Sequence, residues 1–154
     1  MSVRFPYLAA NPGQPGQFLR PFVPVAVIGS AASRYFPRAL LDTGSEDTIF
    51  PAALASLIGV DLAARRGRKN VVRWRGANYS LLFGNVTLEI SDGSATICWP
   101  ADVGFSDAPL PYVLLGGNAF LEFFDTTFLG WAREIELSPN VSFPGTIEPP
   151  DDPR

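Results

Sequence analysis

Short apolar stretches separated by glycine, proline, asparagine and aspartate dominate the hydrophobic pattern of this chain. The stretches are rich in β-branched and aromatic residues, which is typical of β-strands. The predicted strands are residues 22–28, 36–41, 48–50, 70–75, 79–90, 95–99, 112–115, 128–131 and 133–137. Two short helices are predicted, from Pro51 to Gly59 and from Asn118 to Phe124, because proline suits a first helical turn and asparagine suits a cap. The pattern therefore predicts a mainly β fold with one or two short helices.

The length of 154 residues favours a single domain. We assign that domain to residues 19–143. Residues 1–18 are rich in proline, glycine and glutamine and predict a flexible arm, either disordered or docked on a partner. Residues 144–154 predict a flexible, acidic and proline-rich tail. Within the domain, residues 100–111 are expected to form a loop, and the basic run of residues 65–69 is interpreted as a solvated loop rather than a binding patch.

Composition narrows the possible chemistry. The chain has no histidine and one cysteine, which excludes Ser-His and Cys-His catalysis, His-metal sites, intrachain disulfides and Cys-rich zinc sites. The formal net charge of -3 disfavours a nucleic-acid partner. No apolar run approaches the roughly 20 residues of a membrane span, and no secretion signal is apparent, so we expect no membrane partner and a cytoplasmic location. Cys98 is expected in the core rather than as a reactive thiol.

The most informative stretch is residues 39–50, where an apolar strand leads into Asp42-Thr43-Gly44-Ser45. A carboxylate at the end of a strand, followed by a glycine that permits close approach, is suited to activating a water molecule. An ordinary Asx-type turn would use the same residues. A second apolar stretch, Val113-Leu114-Leu115, ends at glycine and could pass close beneath this loop. The few acids near Asp42 supply too few ligands for a cation, so we expect no metal and no cofactor.

Taken together, the two stretches resemble the retropepsin-like aspartic proteases, which include the retroviral proteases. One departure is Gly117, which stands where many members have an arginine that ties to the acid after the active-site loop, here Glu46. Glu46 must then find another partner, and Arg20 of a second chain is one candidate. The resemblance covers residues 19–130. The matching residues are Leu19-Arg20-Pro21-Phe22-Val23, Leu40-Leu41-Asp42-Thr43-Gly44-Ser45-Glu46-Asp47-Thr48-Ile49-Phe50, Leu114-Leu115-Gly116 and Asn118.

The resemblance implies a retropepsin-like closed β-barrel, the fold of one acid-protease lobe, and an aspartic endopeptidase that cleaves extended polypeptides. Such an enzyme needs two carboxylates that share one proton, and this chain has one Asp-Thr-Gly. A homodimer with one Asp42 from each chain is therefore required. The implied catalytic residues are Asp42, Thr43 and Gly44, with Thr43 bonding across to the other subunit. The Ser45 hydroxyl is expected to donate to the ionised carboxylate, which predicts an acidic optimum that rises in Ser45→Ala.

The resemblance also implies a substrate-binding surface. Glu46 and Asp47 would contact the peptide backbone. The predicted turn over residues 75–78 would be the tip of a flap that bends at Gly76, although an ordinary surface hairpin remains an alternative. Trp74 and Tyr79 would cover apolar substrate side chains. The implied substrate-binding residues are Ser45, Glu46, Asp47, Trp74, Arg75, Gly76, Ala77, Leu115 and Gly116.

Two other functions remain open at this point. One is a retropepsin-fold dimer that binds an extended peptide, or only assembles, without turnover. The other is a monomeric β-barrel with no role toward peptides. The loss of the arginine at Gly117 favours the first of these two alternatives.

Overall fold

The computed structural model describes residues 1–150 and confirms a mainly β class. Within these residues the helical elements are one α-helix, α1 (Ala52–Ile58), and a 3-10 turn at Leu121–Phe123. The strands are β1 (Val3–Pro6), β2 (Leu8–Ala9), β3 (Leu19–Arg20), β4 (Phe22–Ile28), β5 (Ser33–Leu41), β6 (Ile49–Pro51), β7 (Val71–Trp74), β8 (Ala77–Ser91), β9 (Thr96–Ser106), β10 (Val113–Leu115), β11 (Phe124–Leu129), β12 (Glu134–Pro139) and β13 (Thr146–Glu148).

Eight of these strands form a sheet that closes into a ring. Their order is β13-β9-β6-β10-β5-β4-β8-β7, and β9 pairs with β8 as well. Two pairings in the ring are parallel, β10 beside β5 and β6 beside β9. The parallel register places Leu115 opposite Leu41. Because parallel strands end at the same edge of a sheet, the residues that follow β5 and β10 must lie together.

A second sheet of three strands, ordered β1-β12-β11, covers part of the core. Val3 and Phe5 of β1 are buried, and they lie opposite Leu137 and Ile135 of β12, which are also buried. The prediction of a flexible arm over residues 1–18 is therefore wrong for β1. The physical reason is the alternation of buried and exposed positions in this strand, which buries two large apolar side chains.

Two other predicted loops contain strands. The loop predicted over residues 100–111 is wrong in its first half, because β9 continues to Ser106 and buries Val103 and Phe105 against the core. The predicted tail, residues 144–154, contains β13, which pairs with β9. Its last four residues lie outside the described part of the chain.

The first predicted helix is confirmed as α1, and the second is reduced to a 3-10 turn. In α1, Leu54 and Ile58 are buried, whereas Leu57 is exposed. Gly59 ends the helix with a φ of 78°, a left-handed conformation that glycine adopts without strain. Asn118 does not cap a second helix, because its side chain donates to Asp47 instead. No helix within residues 1–150 has the length and apolar character needed to cross a bilayer.

The main core lies inside the ring and under the three-stranded sheet. Trp99 is almost fully buried, and its ring contacts Phe120 and Phe124 at centroid distances of 5.4 and 5.2 Å. A smaller apolar cluster lies apart from this core. It consists of Ile49, Leu81 and Phe83, with Val72, Leu110 and Leu114 packed against it.

Candidate active site

Asp42 lies at the shared end of the two parallel strands β5 and β10. Its backbone N–H donates to the carbonyl of Leu115 at 3.0 Å, and the N–H of Leu41 donates to the carbonyl of Pro21 at 3.0 Å. These bonds hold the end of β5 on both sides. The Asp42 side chain remains half-buried at the surface of the chain.

The loop from Asp42 to Thr48, called the Asp42 loop below, begins with a tight turn. The N–H of Gly44 donates to Asp42 Oδ1 at 2.9 Å, and the N–H of Ser45 donates to the Asp42 carbonyl at 3.1 Å. An Asx-type turn is therefore present. It does not compete with a catalytic role, because the turn uses one carboxylate oxygen and leaves the other for a different partner.

The Ser45 hydroxyl does not bond to the Asp42 carboxylate, which corrects the expectation for this residue. It donates to the backbone carbonyl of Asp47 at 2.7 Å. The hydroxyl thus closes the Asp42 loop on itself. The acidic optimum that was expected to rise in Ser45→Ala loses its physical basis in this geometry.

The segment after β10 crosses the Asp42 loop at close range, as the sequence predicted. Gly117 and Asn118 donate their N–H groups to the carbonyls of Ser45 and Glu46 at 2.9 and 2.7 Å. A Cβ atom on Gly116 would lie 2.3 Å from the carbonyl oxygen of Asp47. Only glycine fits at this crossing, because real Cβ atoms do not approach backbone oxygens this closely.

Thr48 ties the two segments together and was not among the predicted site residues. Its hydroxyl donates to the carbonyl of Asn118 at 2.9 Å and accepts from the N–H of Gly116 at 3.3 Å. The residue is fully buried. A buried hydroxyl needs such partners. In the sequence, the position of Thr48 directly before the apolar Ile49 and Phe50 was the feature that could have indicated a buried hydroxyl.

Asp47 is buried and is used for internal contacts, which corrects its expected role in contacting a peptide. Its Oδ1 accepts from the guanidinium of Arg68 and, at 3.1 Å, from the side-chain amide of Asn118. Its side chain is 7% exposed. The interpretation of residues 65–69 as a solvated loop is therefore wrong for Arg68, whose side chain is only 23% exposed.

Glu46, in contrast, points into solvent. Its carboxylate lies 3.8 Å from the Lys69 ammonium, and both side chains are mostly exposed. An exposed pair of this kind contributes little stability. Of the two acids that follow Asp42 in the loop, Glu46 is therefore the one that remains exposed.

A hairpin formed by β7 and the start of β8, residues 71–80, lies beside the Asp42 loop. Its two-residue turn is Arg75-Gly76, with φ values of 49° and 82°, so the turn lies one residue earlier than predicted. Positive φ at both positions matches the right-handed twist of a hairpin. Trp74 is half-buried, and the Arg75 guanidinium lies 5.4 Å from its ring centroid. The hairpin tip, from Arg75 to Asn78, is exposed.

A cleft of about 430 Å³ separates the Asp42 loop from the base of this hairpin. Its lining includes apolar side chains from the smaller cluster and charged side chains from both rims. The lining residues are Gly44, Ser45, Glu46, Asp47, Ile49, Lys69, Val71, Val72, Arg73 and Leu81. A different cavity of about 400 Å³, between residues 36–38 and 108–113, contains no residue of the Asp42 loop.

The structure changes which residues of β10 can face a ligand. Leu115, an expected substrate-binding residue, is fully buried in the main core, so only its backbone is near Asp42. Leu114 is half-buried and packs on the smaller cluster beside Ile49. Alternation along a strand places neighbouring side chains on opposite faces, so Leu114 lies on the face opposite to the one that buries Leu115.

Residues 1–150 contain no group of three Cys, Asp or Glu side chains that could hold a metal ion. No family model matches the chain, and neither the curated proteins nor the solved structures include a significant match.

Proposed function

We propose that this protein is an aspartic endopeptidase whose site is completed by a second copy of the chain. The observation that carries the proposal is the position of Asp42, half-buried at the shared end of two parallel strands, in a loop whose next residues, from Gly44 on, line a cleft bordered by a hairpin. The bracing of the Asp42 loop by Gly116 and Thr48 supports it further, because catalysis requires fixed geometry.

Two chains are needed because one carboxylate cannot perform both proton transfers. One Asp42 takes a proton from the attacking water while its symmetry mate gives a proton to the carbonyl oxygen of the scissile bond. The two carboxylates share one proton, since like charges at close range do not both ionise. Thr43 is exposed next to Asp42 and would bond across the two-fold axis.

The substrate would be an extended polypeptide that lies in the cleft and forms backbone hydrogen bonds as an added strand. Ile49 and Val72 provide an apolar floor, and Glu46 provides an exposed acceptor at the rim. The 71–80 hairpin would close over the bound peptide and exclude water. Gly76 would allow this motion, because glycine reaches both positive and negative φ at little cost and its φ here is already 82°.

The proposal is tested by peptide cleavage across mildly acidic pH with the wild type and Asp42→Asn. We expect Asp42→Asn to lose at least about 10²-fold in rate, the usual contribution of one acid–base group. Asp61→Asn is the matched control, because Asp61 is exposed and lies outside the site. Equal cleavage by the wild type and Asp42→Asn would contradict the proposal.

A mixing experiment tests the shared site directly. Excess Asp42→Asn subunits are added to a fixed amount of wild type, and the cleavage rate is followed as subunits exchange. If each site uses Asp42 from both chains, the rate falls as mixed dimers form, and Asp61→Asn subunits cause no fall. A sedimentation mass that stays at 16.6 kDa at all concentrations would contradict the dimer.

A second function, a peptide-binding or assembly dimer without turnover, is favoured by one feature. Gly117 leaves the segment after β10 without the arginine that many of the resembling proteases carry there. Binding of a substrate-like peptide by the wild type, with no cleavage at any pH, would support this function and contradict the first.

A further inference from the structure

We infer that Arg68 is a positioning residue that holds the Asp42 loop in its reactive geometry from outside the loop. The inference rests on the proposed function, because it names a residue that supports the same site. Arg68 belongs to the segment between α1 and β7, residues 65–70, which is called the 65–70 loop below.

The guanidinium of Arg68 joins two acids from different parts of the fold. Its Nη2 donates to Asp47 Oδ1, and its Nη1 donates to Asp102 Oδ2 at 3.3 Å. Arg65 binds the same Asp102 carboxylate with two hydrogen bonds of 3.0 and 2.9 Å. The Asp42 loop is thereby connected to β9 through a planar group with fixed donor directions.

Arg68 is also held by packing. Its guanidinium carbon lies 3.9 Å from the centroid of the Phe83 ring, and its side chain is 23% exposed. Water therefore cannot easily replace the Asp47 carboxylate as a partner. Removing one member of a covered ion pair leaves the other charge poorly solvated, which is costly.

The 65–70 loop is ordered by its own contacts. The Asn70 side chain accepts from the N–H of Arg65 at 3.0 Å and donates to the carbonyls of Arg65 and Arg68 at 3.3 and 3.1 Å. A loop fixed in this way can act as a support for Arg68 rather than a flexible tether.

A short path of hydrogen bonds leads from Arg68 through Asp47 to the backbone of Asp42. The Ser45 hydroxyl donates to the backbone carbonyl of Asp47, and the Ser45 N–H donates to the backbone carbonyl of Asp42. Asp47 also holds the side chain of Asn118, whose backbone is bonded to Glu46. A shift of Asp47 would therefore move both the Asp42 loop and the segment that crosses it.

The test compares Arg68→Gln with Arg66→Gln in the cleavage assay. Arg66 is the matched control, because it lies in the same loop and is exposed. We expect Arg68→Gln to lower kcat by about 10- to 100-fold, the effect of a misplacement near 1 Å, and to change KM by less than about threefold. Arg66→Gln should keep both constants within about twofold of the wild type, as expected for a surface change.

Arg68→Lys and the exchange of backbone amides keep the inference testable if Arg68→Gln folds poorly. Lysine keeps the charge but cannot span Asp47 and Asp102 with a planar fork, so its kcat should fall between the wild type and Arg68→Gln. In hydrogen exchange, the amides of Gly117 and Asn118 should exchange faster in both Arg68 variants than in Arg66→Gln.

The outcomes separate this inference from the proposed function. If the wild type does not cleave peptides, the proposed function fails, and faster exchange of the crossing segment would still support the bracing by Arg68. If the wild type cleaves and folded Arg68 variants keep its kcat and its exchange rates, the inference is overturned. An equal loss of kcat in Arg66→Gln would also overturn it, because the effect would then come from charge alone.

Discussion

The two segments that border the cleft, the Asp42 loop and the 71–80 hairpin, are held in opposite ways. The Asp42 loop is crossed by Gly116–Asn118, tied by Thr48 and anchored through Asp47 to Arg68. In the hairpin, the strand residues Val71–Trp74 pair only with residues 77–80 of the same hairpin, and the tip is exposed. One side of the cleft is thus fixed from several directions, and the other side is supported mainly at its base.

Under the proposed function, this difference is what a site that binds and then releases a peptide would require. A reacting carboxylate must keep its position to within a fraction of an ångström, and a covering segment must open and close. Segments with few buried contacts and exposed backbone open at low free-energy cost. The comparison therefore predicts that mutations of the residues that brace the Asp42 loop lower stability, and that mutations in the hairpin have a smaller effect on stability and act mainly on binding.

The largest expected difference is between two glycine substitutions. Gly116→Ala places a Cβ 2.3 Å from the Asp47 carbonyl oxygen, and we expect it to lower the free energy of unfolding by about 3 kcal/mol or more. Gly76→Ala meets no neighbour but keeps a φ of 82°, and we expect a loss of about 1 kcal/mol. Urea unfolding measures both, and equal losses would contradict the comparison.

A smaller effect is expected from Thr48→Val, which keeps the shape and removes the hydroxyl. The carbonyl of Asn118 and the N–H of Gly116 lose their buried partner, and we expect a loss of about 1–3 kcal/mol. Thr127→Val, on an exposed position of β11, is the control and should stay within about 0.5 kcal/mol. A Thr48→Val protein as stable as the control would show that the tie does not hold the loop.

Trp74→Ala tests the hairpin side of the comparison, by separating an effect on stability from an effect on peptide binding. Trp74 is half-buried and its ring contacts the Arg75 guanidinium, so we expect a loss of at most about 1 kcal/mol in stability. Under the proposed function the KM for a peptide should rise, because an aromatic cover is lost. Tyr35→Ala, an exposed aromatic on β5, should change neither quantity. A large loss of stability with unchanged KM would assign Trp74 to the fold instead.

A last comparison concerns thiol reactivity, where Cys98 of β9 is expected to be nearly unreactive. Burial, together with the hydrogen bond and charge of Glu89, raises the pKa of Cys98 to about 11. Its thiol should therefore stay protonated and react slowly with iodoacetamide at pH 8. In Ala77→Cys, a thiol at the exposed hairpin tip should react roughly a hundredfold faster, because the thiolate is the nucleophile. Mass spectrometry counts the modified residues, and rapid modification of Cys98 in the wild type would contradict this expectation.

Local patterns predicted much of the architecture. Residues 22–28 form a strand with the predicted limits, and the strand predicted over residues 36–41 ends as predicted but begins earlier, at Ser33. The helix after Pro51 begins and ends as expected. The errors occurred where the stabilising contact is distant in sequence. β1 and β13 became strands because β12 and β9 were available as partners, and a terminal segment carries little sign of such a partner.

The features of the candidate site also separate into those that the local sequence predicts and those that depend on distant contacts. The sequence by itself determined that a carboxylate would follow an apolar strand, and that a glycine after a second apolar strand would permit a close crossing. Both depend on residue type and near neighbours. Only the tertiary structure decided that Arg68 and Asn118 bind Asp47, that Thr48 joins the crossing segments, and that the Ser45 hydroxyl turns away from Asp42. Hydrogen bonds and ion pairs are short-range and directional, so their partners are set by how the sheet closes and not by the order of residues along the chain.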